Sequence, residues 1–201
     1  MLILKYEKSI FIPLFSSAQN EKEINLPQKH TVDFQYPSIS DGPYVFIKED
    51  HFIRKSIKNG VVLSEKLEQD AFNTEFYPEP VTFNNINKIA ALSDIHGQYD
   101  LLIKLLKNNK IIDEDLKWTF GDGHFVIVGD VFDRGNQVNE VLWFLYDLEI
   151  QAKKKGGFVH FLLGNHEYMV FQNDLRYIHS KYHKTPFLLG IEYKELYGKN
   201  T

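Results

Sequence analysis

Asp94, His96, Asp130, Asn165 and His166 offer carboxylate, imidazole and amide donors, and Arg134 offers a guanidinium. All six fall in three short motifs: Ser93-Asp94-Ile95-His96-Gly97, Gly129-Asp130-Val131-Phe132-Asp133-Arg134-Gly135 and Gly164-Asn165-His166-Glu167. Oxygen and imidazole donors suit hard and borderline divalent cations, and a planar guanidinium fork matches a pair of phosphate oxygens. Phosphate-ester hydrolysis needs that combination. Two neighbouring cations require a bridging carboxylate, and Asp130 is the expected bridge. Asp94 and His96 stand two apart as the chain leaves a strand, so their side chains point the same way and are expected to complete the protein ligands of the first ion. Asn165 is expected to give a neutral amide oxygen to the second. A water held between the ions would lose a proton near neutral pH and attack phosphorus in line. His166 is expected to be the general acid for the leaving oxygen. Asp133 is expected to hold its imidazole charged and oriented, and Arg134 to bind the phosphate.

Taken singly, each motif has an ordinary explanation. Asp, Asn and His cap helices, and Asp133 with Arg134 reads as an ion pair. Their coincidence at three successive strand ends is what points to a metal site. The spacing supports this: Asp94 to Asp130 is 36 residues and Asp130 to Asn165 is 35. Each span fits one strand–helix–strand crossover, which takes about 30 residues or more. Apolar runs at 88–93, 124–129 and 158–163 predict strands. The stretches 99–108 and 137–155 carry apolar residues at helical spacing, with Leu101, Leu102, Leu105 and Leu106 expected on one face of the first. Alternation of strand and helix predicts a largely parallel sheet with all three motifs at its carboxyl edge, where open α/β folds bind ligands.

These motifs resemble those of the calcineurin-like metallophosphoesterases, in the phosphoprotein-phosphatase branch. Leu163-Gly164-Asn165-His166-Glu167-Tyr168-Met169, followed by Asp174-Leu175-Arg176-Tyr177, is most similar to the Shewanella-like bacterial-type phosphatases. The resemblance covers residues 88–180. It implies an α/β fold in which a β-sandwich is flanked by helices, two divalent metals (manganese, iron or zinc) and hydrolysis of phosphomonoesters. It carries the roles above onto the matching positions, and makes Arg176 a candidate second phosphate arginine beside Arg134 and Asn165. The family has further histidine ligands downstream, so the chain is expected to be the N-terminal half of a longer enzyme. His179 and His183 stand four apart, a spacing that can chelate a metal on a helix, but they lie too near the third motif to replace those ligands and are expected on a solvated helix face.

The remaining sequence sets outer limits. With 201 residues, 43% of them hydrophobic, the chain can bury a sizeable core. A net charge of −4 gives no electrostatic case for nucleic acid. The absence of cysteine excludes disulfides and thiolate metal sites, and no stretch approaches the roughly 18 apolar residues of a membrane span. Lys5 and Lys8, a short apolar run and Ser16-Ser17-Ala18 outline a signal peptide over residues 1–20, which would send the protein to the periplasm or otherwise out of the cell; the alternative is an ordinary buried strand and a cytoplasmic protein. Residues 21–85 read as an extension with a small antiparallel meander turning at Asn59-Gly60, and 86–201 as the metallophosphoesterase domain. The expected partner is a phosphorylated substrate, protein or small molecule, with protein phosphoserine, phosphothreonine and phosphotyrosine as the candidates. Hydrolysis of dinucleoside polyphosphates by the same centre is the rival activity. A truncated module that binds metal or a partner without turnover is the non-enzymatic alternative.

Overall fold

The meander and the parallel sheet both form where the residue pattern places them. A computed structural model of the chain describes residues 39–48, 50–68 and 80–197. The candidate signal peptide, most of the polar leader and His30 lie outside the described residues. Strands β1 (Asp41–Ile47), β2 (Phe52–Lys58) and β3 (Val61–Leu67) make an antiparallel sheet in that order. Lys58 pairs with Val61 around a two-residue turn. Asn59 and Gly60 in that turn have φ of 49° and 77°, the pair of positive values that matches a tight hairpin to the twist of its strands.

The second sheet contains β4 (Ile89–Leu92), β5 (His124–Val128) and β6 (Phe158–Leu162), all parallel, with β5 in the centre. Helix α1 (Tyr99–Asn108) joins β4 to β5 and α2 (Val138–Lys153) joins β5 to β6. One face of this sheet, through Phe125, Ile127 and Val159, is buried with Val138, Val141, Leu145 and Leu148 of α2. The helical stripe of α1 is narrower than its sequence suggests. Leu102 and Leu106 are buried, but Leu101 and Leu105 are exposed, because only a strip of a ten-residue helix meets the core and residues one position apart diverge around its axis. On the opposite face of the sheet, Ile89, Val128 and Leu162 are exposed. There Phe83 packs against His124, Phe158 and His160, and the two imidazoles hydrogen-bond at 2.8 Å.

After β6 the chain runs into α3 (Asn165–Phe171), α4 (Ser180–Leu189) and the short α5 (Lys194–Tyr197). The last two tie the meander to the rest. Tyr44, Phe46 and Ile57 form a second apolar cluster with Leu189 and Leu196. At its edge, buried Asp41 accepts hydrogen bonds from Tyr44, Asn139 and Thr185 and pairs with Lys181 at 2.9 Å. Four donors from four parts of the chain thus satisfy one carboxylate whose burial would otherwise be costly.

Candidate metal and phosphate site

The three motifs meet at the carboxyl ends of β4, β5 and β6, and backbone contacts hold them in one plane of approach. His96 N–H donates to the Asp130 carbonyl at 2.9 Å and Gly97 N–H to the Val131 carbonyl at 2.8 Å, joining the first motif to the second. Glu167 joins the second to the third. Its carboxylate is fully buried and accepts four backbone N–H groups: Asp130 and Gly164 on Oε2, Val131 and Phe132 on Oε1, all between 2.7 and 3.0 Å. Hydrogen bonds of this number offset the cost of burying a carboxylate. The glycines are equally constrained. A Cβ at Gly164 would lie 2.1 Å from the Asp130 carboxylate, and one at Gly135 would lie 2.1 Å from the His96 carbonyl.

This arrangement strains the chain. Asp94, His96, Asp130, Asp133 and Arg134 all have positive φ, between 45° and 71°. Each such residue costs of order 1–3 kcal/mol and persists only where the surroundings dictate it, a pattern that concentrates at functional sites. Five together, all of them residues singled out for chemistry, are hard to reconcile with a purely structural role.

A donor atom each of His96, Asp130 and His166 lies within 4.8 Å of the others. His96 Nδ1 is 2.7 Å from the Phe132 carbonyl, which can only accept, so Nδ1 carries the proton and Nε2 the lone pair. That Nε2 is buried and has no hydrogen-bond partner among the described residues. An imidazole with one nitrogen fixed on a carbonyl and the other bare is arranged as a metal ligand is. The exposed Asp94 carboxylate stands 3.7 Å from the same nitrogen, held by Ser93 Oγ at 2.7 Å. Asp130 also accepts from the His166 backbone N–H at 3.1 Å.

His166 itself is gripped from the other side. Its Nδ1 donates to Asp133 Oδ2 at 2.6 Å, with both side chains buried, and its Nε2 is 3.4 Å from Arg134 Nη2. Arg134 is exposed, with its backbone N–H fixed by the Tyr177 carbonyl at 2.8 Å, while the Tyr177 ring packs against the His166 ring. Asn165 is exposed at the first position of α3, directly after the glycine that abuts Asp130. Arg176 is turned elsewhere: it makes two hydrogen bonds to Asp174, at 2.7 and 2.8 Å, and lies over the Tyr177 ring. His179 caps α4 by accepting the Lys181 N–H, and His183 is exposed on that helix, so neither enters the cluster. Sequence reasoning gave no role to Glu167 or to the carbonyls of Phe132 and Tyr177. A Glu three residues into a helix is a capping signal, and Glu167 does accept the Gly164 N–H, but nothing local reveals that it also binds the loop after β5.

Comparison with known proteins agrees with this geometry. The family model for calcineurin-like phosphoesterases matches residues 87–199. The chain belongs to that family. Shewanella-like protein phosphatase 2 of Arabidopsis thaliana is 35% identical over 99 residues, 49% of this chain and 25% of the relative. Shewanella-like protein phosphatase 1 of Plasmodium berghei is 33% identical over 127 residues, 62% of this chain and 33% of the relative. A solved structure of a cold-active protein tyrosine phosphatase superposes with a TM-score of 0.73 at 42% identity, covering 80% of this chain and 52% of that one. The cold-active protein-tyrosine phosphatase of a psychrophilic Shewanella species gives a TM-score of 0.67 at 41% identity, covering 80% and 53%. The chain therefore spans a quarter to a third of these curated relatives and about half of the solved structures.

Proposed function

We propose that the chain carries the phosphate-proximal part of a metal-dependent phosphomonoesterase that acts on phosphorylated protein or small-molecule substrates. The observation that carries this is the convergence of His96, Asp130 and His166 within 4.8 Å, with Arg134 beside His166. The donor set fits divalent manganese, iron or zinc: His96 would hold one ion with Asp94, Asp130 would bridge, and Asn165 would reach the second. When bound, the ions would supply Lewis-acid activation of water and of the phosphoryl group.

The chain's own residues then divide the remaining work. Arg134 presents its guanidinium at the solvent side of the site, where it binds equatorial phosphate oxygens. His166 Nδ1–H stays on Asp133, so the proton passed to the leaving oxygen comes from Nε2. Asp133 favours the protonated imidazole and fixes its plane, which keeps Nε2 aimed at the same point as Arg134. The names of the relatives favour protein phosphate esters as the substrate, phosphotyrosine among them. We likewise propose export, on the composition of residues 1–20; cleavage after Ala18, read by mass spectrometry of protein from its native host, tests it.

Calorimetric titration with Mn²⁺, run beside a panel of phosphotyrosine, phosphoserine and dinucleoside polyphosphate substrates, tests the central proposal. Mn²⁺ binding that disappears in Asp130→Asn, with hydrolysis of the monoesters, is the expected result. Hydrolysis confined to the polyphosphates would replace the phosphomonoesterase reading by the nucleotide one. Absence of any Mn²⁺ binding would remove the metal centre.

A further inference from the structure

Asp133 is a buried carboxylate with only one of its oxygens used. Oδ2 accepts from His166, whereas Oδ1 is buried and has no hydrogen-bond partner among the described residues. A small pocket adjoins it, walled by Phe132, Val138 and Ile178 and by the phenols of Tyr182, Tyr193 and Tyr197. The space within admits no water molecule, so no solvent bridge can satisfy Oδ1. Two of the three phenols are committed elsewhere. Tyr182 bonds the Asn136 carbonyl and the Val138 N–H, and Tyr197 donates to Asn139. The Tyr193 hydroxyl has no hydrogen-bond partner among the described residues. Burial holds this phenol well above its ordinary pKa, and the Asp133 charge is the next largest cause. Tyr193 therefore stays a protonated donor within electrostatic reach of Asp133.

We propose that Tyr193 is a positioning residue for the Asp133–His166 pair, its hydroxyl donating to Asp133 Oδ1 and so completing the carboxylate's hydrogen bonds. A bare, buried carboxylate oxygen and a bare hydroxyl on the wall of one dry pocket are each costly alone and complementary together. The bond fixes the rotation of the Asp133 carboxylate, and with it the plane of the imidazole. Tyr193 packs against both apolar clusters. The meander and α4 thereby buttress a residue that acts on the site, although neither contributes a group to it.

The inference rests on the role proposed for Asp133 and His166, yet its test needs no turnover and no metal. In the proton NMR spectrum of the metal-free 201-residue chain, the His166 Nδ1–H held by Asp133 gives a far-downfield signal, identified by its loss in His166→Ala. Tyr193→Phe should move that signal further downfield, because Oδ2 becomes the stronger acceptor once Oδ1 loses its donor. A second arm is a double-mutant cycle of Tyr193→Phe and Asp133→Asn on the folding equilibrium in urea. Non-additivity of about tenfold is expected for a buried hydrogen bond to a charged group. An unmoved signal, or additivity within about twofold, overturns the inference. Should Asp133→Asn not fold, the signal in Tyr193→Phe decides alone. Loss of the phosphatase reading would appear instead as absent Mn²⁺-dependent hydrolysis, with signal and cycle unchanged.

Discussion

Replacing Glu167 by glutamine tests whether one buried side chain assembles the site. The change removes a single charge and keeps the shape. In the native chain each carboxylate oxygen accepts two backbone N–H groups. Glutamine keeps one such oxygen and turns an NH₂ toward the other pair, so two hydrogen bonds are lost and donors face donors. Hydrogen bonds to a charged group contribute about 1.5–3 kcal/mol each. Removal of the buried charge refunds part of its desolvation cost, and disruption of a buried charged network typically costs about 3–5 kcal/mol. Glu167→Gln is therefore expected to lower unfolding free energy by about 3–5 kcal/mol, a large share of the roughly 5–15 kcal/mol that a domain has. Because the freed loop carries Asp130, Mn²⁺ affinity should also fall by about 10–100-fold. Urea denaturation followed by circular dichroism, with calorimetry for the metal, measures both. A variant within about 1 kcal/mol of wild type and with unchanged Mn²⁺ affinity would refute the claim that this carboxylate holds the two motifs together.

Further outcomes follow from individual residues. Asp130→Asn should abolish metal-dependent hydrolysis in the full enzyme while leaving the circular dichroism spectrum unchanged; near wild-type activity on p-nitrophenyl phosphate would exclude a bridging role. His166→Ala should slow alkyl phosphates much more than p-nitrophenyl phosphate, whose leaving group needs no proton, and equal losses would remove the general-acid assignment. Burial holds the His124 imidazole below its ordinary pKa, against a smaller opposing pull from Asp122. The unfolded chain therefore takes up this proton first, and the stability that His124 contributes is full above about pH 6.5 and declines as pH falls below it. In His124→Gln, stability measured between about pH 7 and 5 should decline less steeply than in wild type, and an identical slope would exclude His124 as a source.

The sequence by itself determined the chemistry and most of the local structure. Asp94, His96, Asp130, Asn165, His166 and Arg134 were legible because metal and phosphate binding demand particular donor types, and because the crossover spacing puts such groups at one sheet edge. The helices and strands were legible from their apolar periods, and the hairpin from Asn59-Gly60, whose positive φ values few other residue pairs adopt readily. Contacts between residues far apart in the chain were decided only in three dimensions. The burial of Leu102 but not Leu101 depended on which strip of α1 the core reaches. Arg176 was free to be a phosphate ligand in the sequence, and its pairing with Asp174 and Tyr177 is a property of one folded turn. Glu167 read as a helix cap because only one of its four partners, Gly164, lies on its own segment; the other three reach it across about 35 residues. A periodicity or a motif records what neighbouring residues require, whereas a hydrogen bond between loops requires that the sheet first bring the loops together.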